Sequence, residues 1–227
     1  MASHPLDNPV WHALNGPHAS LSRRSGSVLA YRPEIALFAA VEDPATSDMD
    51  GLEALIPEGG TVGFPFAGDV PLPDNVELAR KVDVLQMVAE HFVPVPISAP
   101  IVPIGAANQA AMVELVDLTK PGPFAPEAHR MGPFNGIFDG ERLAAMAGER
   151  MSLDGFSEVS AVCTHPDYRG RGYAKQLVST RASDIVARGK IPFLHVFPDN
   201  APAIATYERL GFAPRRMMTF TVVKRRA

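Results

Sequence analysis

The sequence predicts a mixed α/β fold, and four consecutive segments of its second half carry that prediction. An apolar strand at residues 158–164 leads into a glycine-containing turn at 169–172, an amphipathic helix, and a second apolar strand at 191–197. A strand, a crossover helix and a strand in succession favour parallel pairing of the two strands. A ligand is then expected at the carboxyl ends of these strands.

The first part of the chain gives weaker signals. Runs of apolar and β-branched residues predict strands at 28–31, 35–41 and 82–88, which could extend the same sheet. A short helix is predicted at 47–56, with Ser47 as its N-cap. No internal repeat is legible in the sequence.

A proline-rich passage divides the chain. Four prolines lie between residues 94 and 103, so the apolar stretch 92–116 is not a membrane-spanning helix, and its first part is predicted to be a linker. The division gives an N-terminal lobe, residues 1–105, and a second domain, residues 106–227, that holds every motif.

The remaining elements of the second domain follow in order. A helix is predicted at 109–118, a turn at 119–123, and strands at 136–139 and 142–150. The helix after the glycine turn ends near Gly189, and Asn200 caps a last helix at 202–210, which Gly211 ends before a closing strand at 217–223. One face of the helix after the glycine turn is apolar and comprises Ala174, Leu177, Val178, Ala182, Ile185 and Val186.

The turn at residues 169–172 has the properties of an anion site. It lies between a strand and a helix N-terminus, so free backbone N–H groups and the positive end of the helix converge there. Its glycines allow close approach of the backbone, and Arg169 and Arg171 can form bidentate contacts with phosphate oxygens. A pyrophosphate fits this arrangement better than a single carboxylate.

Two common phosphate-binding motifs do not fit. A dinucleotide fingerprint needs a third small residue where Lys175 stands, and the phosphate-loop pattern is absent from the sequence. The remaining pattern, R-x-x-G-x-A, is followed by Asn-x-x-Ala-x-x-x-Tyr-x-x-x-Gly-Phe from residue 200. Together these segments resemble the GCN5-related N-acetyltransferase (GNAT) superfamily, in particular its FR47-like and glycine N-acyltransferase-like branch.

The resemblance covers about the last 120 residues and implies both a fold and a cosubstrate. It implies a mostly antiparallel sheet whose two central parallel strands splay apart, with the pantetheine arm of acetyl-CoA in the gap. The N-terminal lobe is then either a degenerate GNAT unit or an unrelated cap over the substrate pocket. The implied coenzyme contacts are Val162, Cys163, Thr164, Arg169, Gly170, Arg171, Gly172, Tyr173, Ala174, Asn200, Ala203 and Tyr207.

The chemistry of acetyl transfer needs two proton-transferring groups, and the resemblance suggests Glu158 and Tyr207. Glu158 lies eleven residues before Arg169, where histone-acetylating relatives place a general base, and burial is expected to raise its pKa. A water chain is the alternative base. Tyr207 is the predicted general acid, because a phenol can protonate a departing thiolate.

Other polar residues have simpler interpretations. Glu149 and His195 are reserve candidates for the base, and His195 is equally a core histidine with a satisfied hydrogen bond. Cys163 and His165 lie two apart in a strand without a set geometry for proton transfer, so a buried core cysteine is predicted rather than a thiol protease. The histidines do not form a metal-binding motif, so no metal is expected.

Length and composition agree with an ordinary soluble enzyme. The net charge of −4 argues against nucleic-acid binding, and the basic run 224–226 is short. A single cysteine excludes an internal disulfide, and residues 1–5 lack the features of a secretory signal. We therefore expect a cytoplasmic protein without a membrane partner, and a homodimer is one open alternative.

The sequence thus predicts an acetyl-CoA-dependent N-acetyltransferase that transfers its acetyl group directly to a primary amine. The acceptor, a small molecule or a peptide, is expected to contact residues 119–131 and the N-terminal lobe. Transfer of a longer acyl group, a non-catalytic acyl-CoA-binding module and a ligand-free interaction protein are the alternatives.

Overall fold

The computed structural model describes residues 4–226, and within that range the chain forms four α-helices and eleven strands. The expectation about a secretory signal falls partly on residues 1–3, outside the described residues. The helices are α1 (Pro9–Leu14), α2 (Gln109–Thr119), α3 (Tyr173–Ala187) and α4 (Ala201–Glu208). The strands are β1 (Ser22–Ser25), β2 (Val28–Tyr31), β3 (Ala39–Ala40), β4 (Val62–Phe66), β5 (Val76–Val88), β6 (Ile101–Ile104), β7 (Phe134–Asp139), β8 (Arg142–Leu153), β9 (Phe156–Thr164), β10 (Ile191–Val196) and β11 (Ala213–Arg225).

Eight of these strands form one sheet in the order β4-β11-β5-β10-β9-β8-β7-β6, and β1, β2 and β3 form a small separate sheet. In the large sheet β9 and β10 are parallel, and the other neighbouring pairs are antiparallel. The predicted fold class, a mixed and mostly antiparallel sheet flanked by helices, is confirmed.

The two parallel strands separate after a short paired stretch. Their last paired residues are Glu158 and Phe193, although β9 continues to Thr164 and β10 to Val196. A β-bulge in β9 places two residues opposite Ala147 of β8, and Ala161 within it has a φ of 51°. Bulges bend a strand and disrupt its ladder, so this one helps β9 to diverge from β10.

The two faces of the large sheet have different covers. On one face α3 and α4 pack with apolar residues of β9 and β10, including Val159 and Leu194. On the other face α1 and the small sheet enclose Phe193, Met218 and Phe220, while α2 packs beside Met146 of β8. The split between β9 and β10 therefore lies between a helical layer and the N-terminal segment.

Strand β5 connects the two parts of the chain most closely. It belongs to the first 105 residues, yet it lies between β10 and β11 and pairs with both. The division at residue 105 therefore does not coincide with an edge of the sheet. It stays a prediction about folding units, as does the relation of the first part to a second GNAT unit.

The proline-rich linker is tied to α3 by side chains. Gln176 accepts hydrogen bonds from the N–H groups of Ser98 and Ala99 at 2.7 and 2.9 Å, and Ser179 accepts one from Val95 at 3.0 Å. The end of this passage forms β6, where Pro103 is tolerated because β6 is an edge strand.

Two predicted elements of the first part are wrong. Residues 47–56 contain only a single 3₁₀ turn, Glu53–Leu55, because the side chains of Asp43 and Asp48 bond to nearby backbone N–H groups and compete with a helix. Gly51 also approaches the backbone of Ser25 so closely that a Cβ there would lie 2.3 Å from its oxygen.

The predicted strand 35–41 shortens to β3, since the N–H groups of Ile35 and Ala36 close a turn onto the carbonyl of Arg32. In α3, Val186 is 45% exposed and does not belong to the buried face. The predicted strands 28–31, 82–88, 136–139, 142–150, 158–164, 191–197 and 217–223 and the helices 109–118 and 202–210 are confirmed, with boundaries shifted by a few residues or, for 82–88, extended.

No helix formed by residues 4–226 combines the length and apolar character needed to cross a lipid bilayer.

Candidate functional site

The glycine turn presents a row of unbonded backbone N–H groups. From Gly170 to Lys175, the six consecutive N–H groups have no acceptor within residues 4–226. Gly170 and Gly172 have φ values of 79° and 74°, in the left-handed region that favours glycine, and Gly172 is the N-cap of α3. Such a run of free donors at the start of a 15-residue helix suits an anion.

The two arginines of this turn are exposed, and neither has a carboxylate partner in the described chain. The guanidinium of Arg171 lies over the ring of Tyr168, 4.9 Å from its centroid, and the Tyr168 hydroxyl donates to Asp139 at 2.8 Å. The charge of the turn is therefore available to a ligand. The arrangement fits a pyrophosphate, the group that coenzyme A would place there.

A cavity of about 800 Å³ begins beside this turn and runs through the split in the sheet. Its wall includes six predicted site residues: Val162, Cys163, Thr164, Arg169, Asn200 and Tyr207. The positions 170–174 adjoin the cavity through the turn, while Ala203 lies within α4. Residues 119–125 and segments of the N-terminal part also line the cavity, and the contacts with the acceptor stay a prediction.

Tyr207 combines burial with contact to the cavity. It is 9% exposed and packs against Phe212, and burial, with a smaller effect of nearby Cys163, raises its pKa to about 12. The phenol therefore carries its proton at neutral pH. Cys163 is buried in a hydrophobic cluster with Met146, as predicted for a core cysteine, and burial raises the pKa of its thiol to about 12.

Asn200 acts as the predicted cap of α4. Its Oδ1 accepts from the N–H of Ala203 at 3.3 Å, which fixes the start of the helix that carries Tyr207. The N–H of Ala203 is thus already bonded.

Glu158 lies behind the cavity wall and is fully buried. Arg150 donates from Nε to Oε2 at 2.8 Å and from Nη2 to Oε1 at 2.6 Å. Burial alone would raise the pKa of this carboxyl, but Arg150 and the hydrogen bond from His195 outweigh it and lower the pKa to about 2. The expectation that its pKa is raised is therefore wrong, and Glu158 is a carboxylate at neutral pH.

His195 joins Glu158 to a buried glutamine. Its Nδ1 lies 2.7 Å from Glu158 Oε1, and its Nε2 lies 3.2 Å from Nε2 of Gln86. Gln86 also donates to the carbonyl of Leu6 and accepts from Arg215, so its amide nitrogen is the donor to His195. His195 then accepts at Nε2 and donates from Nδ1, so both ring nitrogens are bonded.

Glu149, the other reserve base, is held by the helical layer. Its carboxylate accepts from Ser157 at 2.7 Å, from Arg188 at 2.5 Å and from Arg181 at 3.5 Å. These partners engage both carboxylate oxygens.

The sequence analysis missed Arg150 as a site residue, although a signal existed. Asp154-Gly155 is typical of a two-residue hairpin turn, and the observed pairing of Leu153 with Phe156 follows from it. That ladder brings Arg150 close to Glu158, and a bulge in β8, which places Arg150 and Met151 opposite Glu158, brings the two side chains to one face. Gln86 had no comparable signal, since it reaches His195 only through the insertion of β5.

Among residues 4–226 no group of three or more histidine, cysteine, aspartate or glutamate side chains is placed to hold a metal ion.

Comparison with known proteins shows one family. A sequence profile of FR47-like proteins matches residues 135–221. A GNAT-family protein from Novosphingobium aromaticivorans is 39% identical in sequence, and the structural match covers 99% of this chain and 100% of that one, with a TM-score of 0.91. A GCN5-related N-acetyltransferase from Kribbella flavida shares the fold at 16% identity, with a TM-score of 0.58 over 97% of this chain and 93% of that one.

Curated relatives match a shorter region. An acetyltransferase from Yersinia pestis is 34% identical over 89 residues, which is 38% of this chain and 58% of the Yersinia protein. A mycothiol acetyltransferase from Corynebacterium glutamicum is 34% identical over 77 residues, 34% of this chain and 26% of that protein. The matched region therefore spans less than two thirds of these relatives.

Proposed function

The chain belongs to the GNAT superfamily and contains an FR47-like domain, and on that premise we propose that it is an acetyl-CoA-dependent N-acetyltransferase. The acceptor is a primary amine of a small molecule or a peptide. One observation carries this proposal: a single cavity is lined by Arg169, which immediately precedes the run of unbonded N–H groups, and by the buried Tyr207. A site that binds a pyrophosphate at one end and holds a proton donor at the other suits a coenzyme A thioester.

Different residues bind different parts of the coenzyme. Arg169, Arg171 and the N–H groups from Gly170 to Ala174 hold the pyrophosphate. Residues 162–164 of β9 have β8 as a neighbour but no longer pair with β10, so the edge facing β10 offers backbone groups to the pantetheine arm. Asn200 fixes the helix end beside the thioester.

Acetyl-CoA supplies an activated acetyl group for direct transfer. The acceptor nitrogen forms a bond to the thioester carbonyl carbon, the carbon–sulfur bond breaks, and the leaving sulfur takes the proton of Tyr207. Water is the better-supported route for the amine proton, because Glu158 is bonded to Arg150 and His195 behind the wall. Glu158 remains the predicted carboxylate to receive that proton through a relay.

The first experiment measures binding and turnover on one sample. Calorimetric titration with acetyl-CoA and longer acyl-CoAs is followed by a thiol-release assay over a panel of amines. Binding with amine-dependent thiol release supports the transferase. Preference for a longer acyl-CoA would show that the donor carries a longer acyl group than acetyl. Binding without turnover would favour a non-catalytic module. Absence of binding would overturn the proposal.

Replacement of Tyr207 tests the assignment of the general acid. We expect Tyr207→Phe to lower kcat about 100-fold with little change in KM, because only the transferable proton is lost. Tyr31→Phe is the matched control, since Tyr31 is equally buried and bonds to His18 outside the cavity. An unchanged kcat in Tyr207→Phe, with chemistry shown to limit the rate, would remove Tyr207 from this role.

A further inference from the structure

Building on the proposed transfer reaction, we propose that the acceptor carries a carboxylate and an apolar body, as a hydrophobic amino acid does, and that Arg150 binds that carboxylate. The proposal goes beyond the family assignment, which leaves the acceptor open. It depends on three features of the cavity: the orientation of Arg150, the balance of charge on the wall, and the apolar residues beside it.

Arg150 is a preformed carboxylate site. It lines the cavity with 14% of its side chain exposed, and its Nε and Nη2 bond to Glu158. A guanidinium has five N–H donors, and two forked edges can each hold a carboxylate. With one edge used by Glu158, the other edge, formed by Nη1 and Nη2, has no acceptor within the described chain.

The guanidinium of Arg150 is also held in place by an aromatic ring. It lies over Phe38 at 5.0 Å from the ring centroid, so it is fixed by an anion on one side and by a π-face on another. A guanidinium held in this way loses little conformational freedom on binding a second carboxylate.

The charges on the cavity wall favour an anionic group. Four cationic side chains line it, and the one carboxylate among its described lining residues, that of Glu149, is engaged by Arg181, Arg188 and Ser157. The four cations are Arg80, Lys120, Arg150 and Arg169. Arg169 belongs to the pyrophosphate turn and Lys120 pairs with Asp117 at 3.3 Å, which leaves Arg80 and Arg150.

The surroundings of Arg150 are apolar. Phe38, Val82, Val84 and Phe220 belong to one hydrophobic cluster and also line the cavity. Such a wall binds the hydrocarbon part of a substrate and offers no hydrogen-bond acceptor to a second ammonium group of that substrate. A polyamine or an aminoglycoside would bring several positive charges to a wall that is already positive, so these acceptors are disfavoured.

A pair of matched ligands tests the carboxylate site without relying on turnover. The protein saturated with coenzyme A is titrated with N-acetyl-L-phenylalanine and with its uncharged amide, and the leucine pair is measured in the same way. We expect the acids to bind at least about tenfold more tightly than the amides, since a charged bidentate contact is lost in the amide. Equal affinities, or no binding of either acid, would overturn the proposal.

Conservative variants identify the arginine. Arg150→Lys keeps the charge beside Glu158 but removes the second forked edge, so the preference for the acid should fall to about twofold or less. Arg24→Lys is the control, because Arg24 is exposed on β1 away from the cavity and should keep the full preference. Thermal unfolding and coenzyme A titration verify that Arg150→Lys remains folded. A full acid preference in that variant would exclude Arg150.

Turnover then separates this proposal from the proposed function. The thiol-release assay compares L-phenylalanine and L-leucine with their amides and with spermidine. Acid-selective binding without turnover of any amine would retain the carboxylate site and reject the transferase. Turnover of amides or spermidine at least as fast as that of the acids would retain the transferase and reject the carboxylate site.

Discussion

The pyrophosphate turn and the charge network around Glu158 contain similar side chains but use them in opposite ways. At the turn, Arg169 and Arg171 are exposed, and six N–H groups lack acceptors within residues 4–226. Around Glu158, the carboxylate is fully buried and bonded to Arg150 and His195. Groups that remain unbonded are available to a ligand, whereas groups that bond to each other hold the protein in one arrangement.

The difference also separates mutations that are expected to weaken ligand binding from mutations that are expected to lower the stability of the protein. Removing an exposed, unpaired arginine changes the stability of the protein little, but it removes a contact with the ligand. Removing one member of a buried pair leaves the other charge without compensation, which is far more expensive. Arg150 belongs to both kinds, because it lines the cavity and has one forked edge bonded to Glu158, while its other edge has no acceptor in the described chain.

The largest effect is expected from breaking the buried pair. Arg150→Met should lower the free energy of unfolding by about 3–5 kcal/mol at pH 7, since Glu158 would remain a buried carboxylate with its main partner gone. The double variant Arg150→Met/Glu158→Gln removes both charges and should recover at least about 2 kcal/mol of that loss. Urea denaturation measures both values.

Equal stability of the single and the double variant would contradict this prediction. It would mean that the buried Glu158 carboxylate is stabilised as well by its remaining partner His195 as by Arg150. The result would also weaken the carboxylate proposal, because an Arg150 that is not held by Glu158 is not preformed.

The same contrast explains what the sequence could predict. The turn and the helix after it are contiguous, so their residues indicated the anion site, and the family resemblance that they support implied the splayed strands and the role of Tyr207. The network is not contiguous: Gln86 lies 109 residues from His195 and 129 residues from Arg215. Its assembly depends on the insertion of β5 between β10 and β11, which no local pattern specifies.

The wrong predictions have a related cause. The expected rise in the pKa of Glu158 considered burial alone, and the partner that reverses it enters through the hairpin of β8 and β9. The helix expected at 47–56 considered propensity and an N-cap, while Gly51 is placed by its close approach to Ser25 of another element. In both cases tertiary contacts outweigh a local preference.

A second buried pair, on the N-terminal segment, provides a pH-dependent prediction of intermediate size. His18 is 5% exposed and lies 2.8 Å from the Tyr31 hydroxyl, and burial lowers its pKa from 6.5 to about 4. The unfolded chain therefore binds a proton at a higher pH than the folded one. The stability that His18 contributes is complete above pH 6.5 and falls as the pH decreases from 6.5 to 4.

The size of that fall is about 3 kcal/mol, from 1.36 kcal/mol for each unit of pKa. His18→Gln should remove most of this slope, measured as the free energy of unfolding in urea at intervals between pH 7 and pH 4. His91→Gln, at an exposed position after β5, is the control and should keep the slope. The assignment fails if the His18 variant loses stability over this range as steeply as the unchanged protein.

The smallest effect is expected at the turn, where it should appear in binding rather than in stability. Arg169→Ala and Arg171→Ala should each weaken coenzyme A binding about tenfold, because a charge-assisted contact to phosphate is lost. Their free energies of unfolding should stay within about 0.5 kcal/mol of the original, since both side chains are exposed. Calorimetry measures the affinity, and Arg24→Ala is the control for charge.

The dependence on salt sharpens this test. If the arginines hold the pyrophosphate, the affinity of the unchanged protein should fall as the salt concentration rises, and each variant should show a weaker dependence. An affinity that is lower in the variants but equally dependent on salt would point to a change in the shape of the turn. For Arg171 that change would come from the lost contact with Tyr168. Arg171 would then hold the turn in one arrangement, as the bonded groups around Glu158 do in their part of the protein.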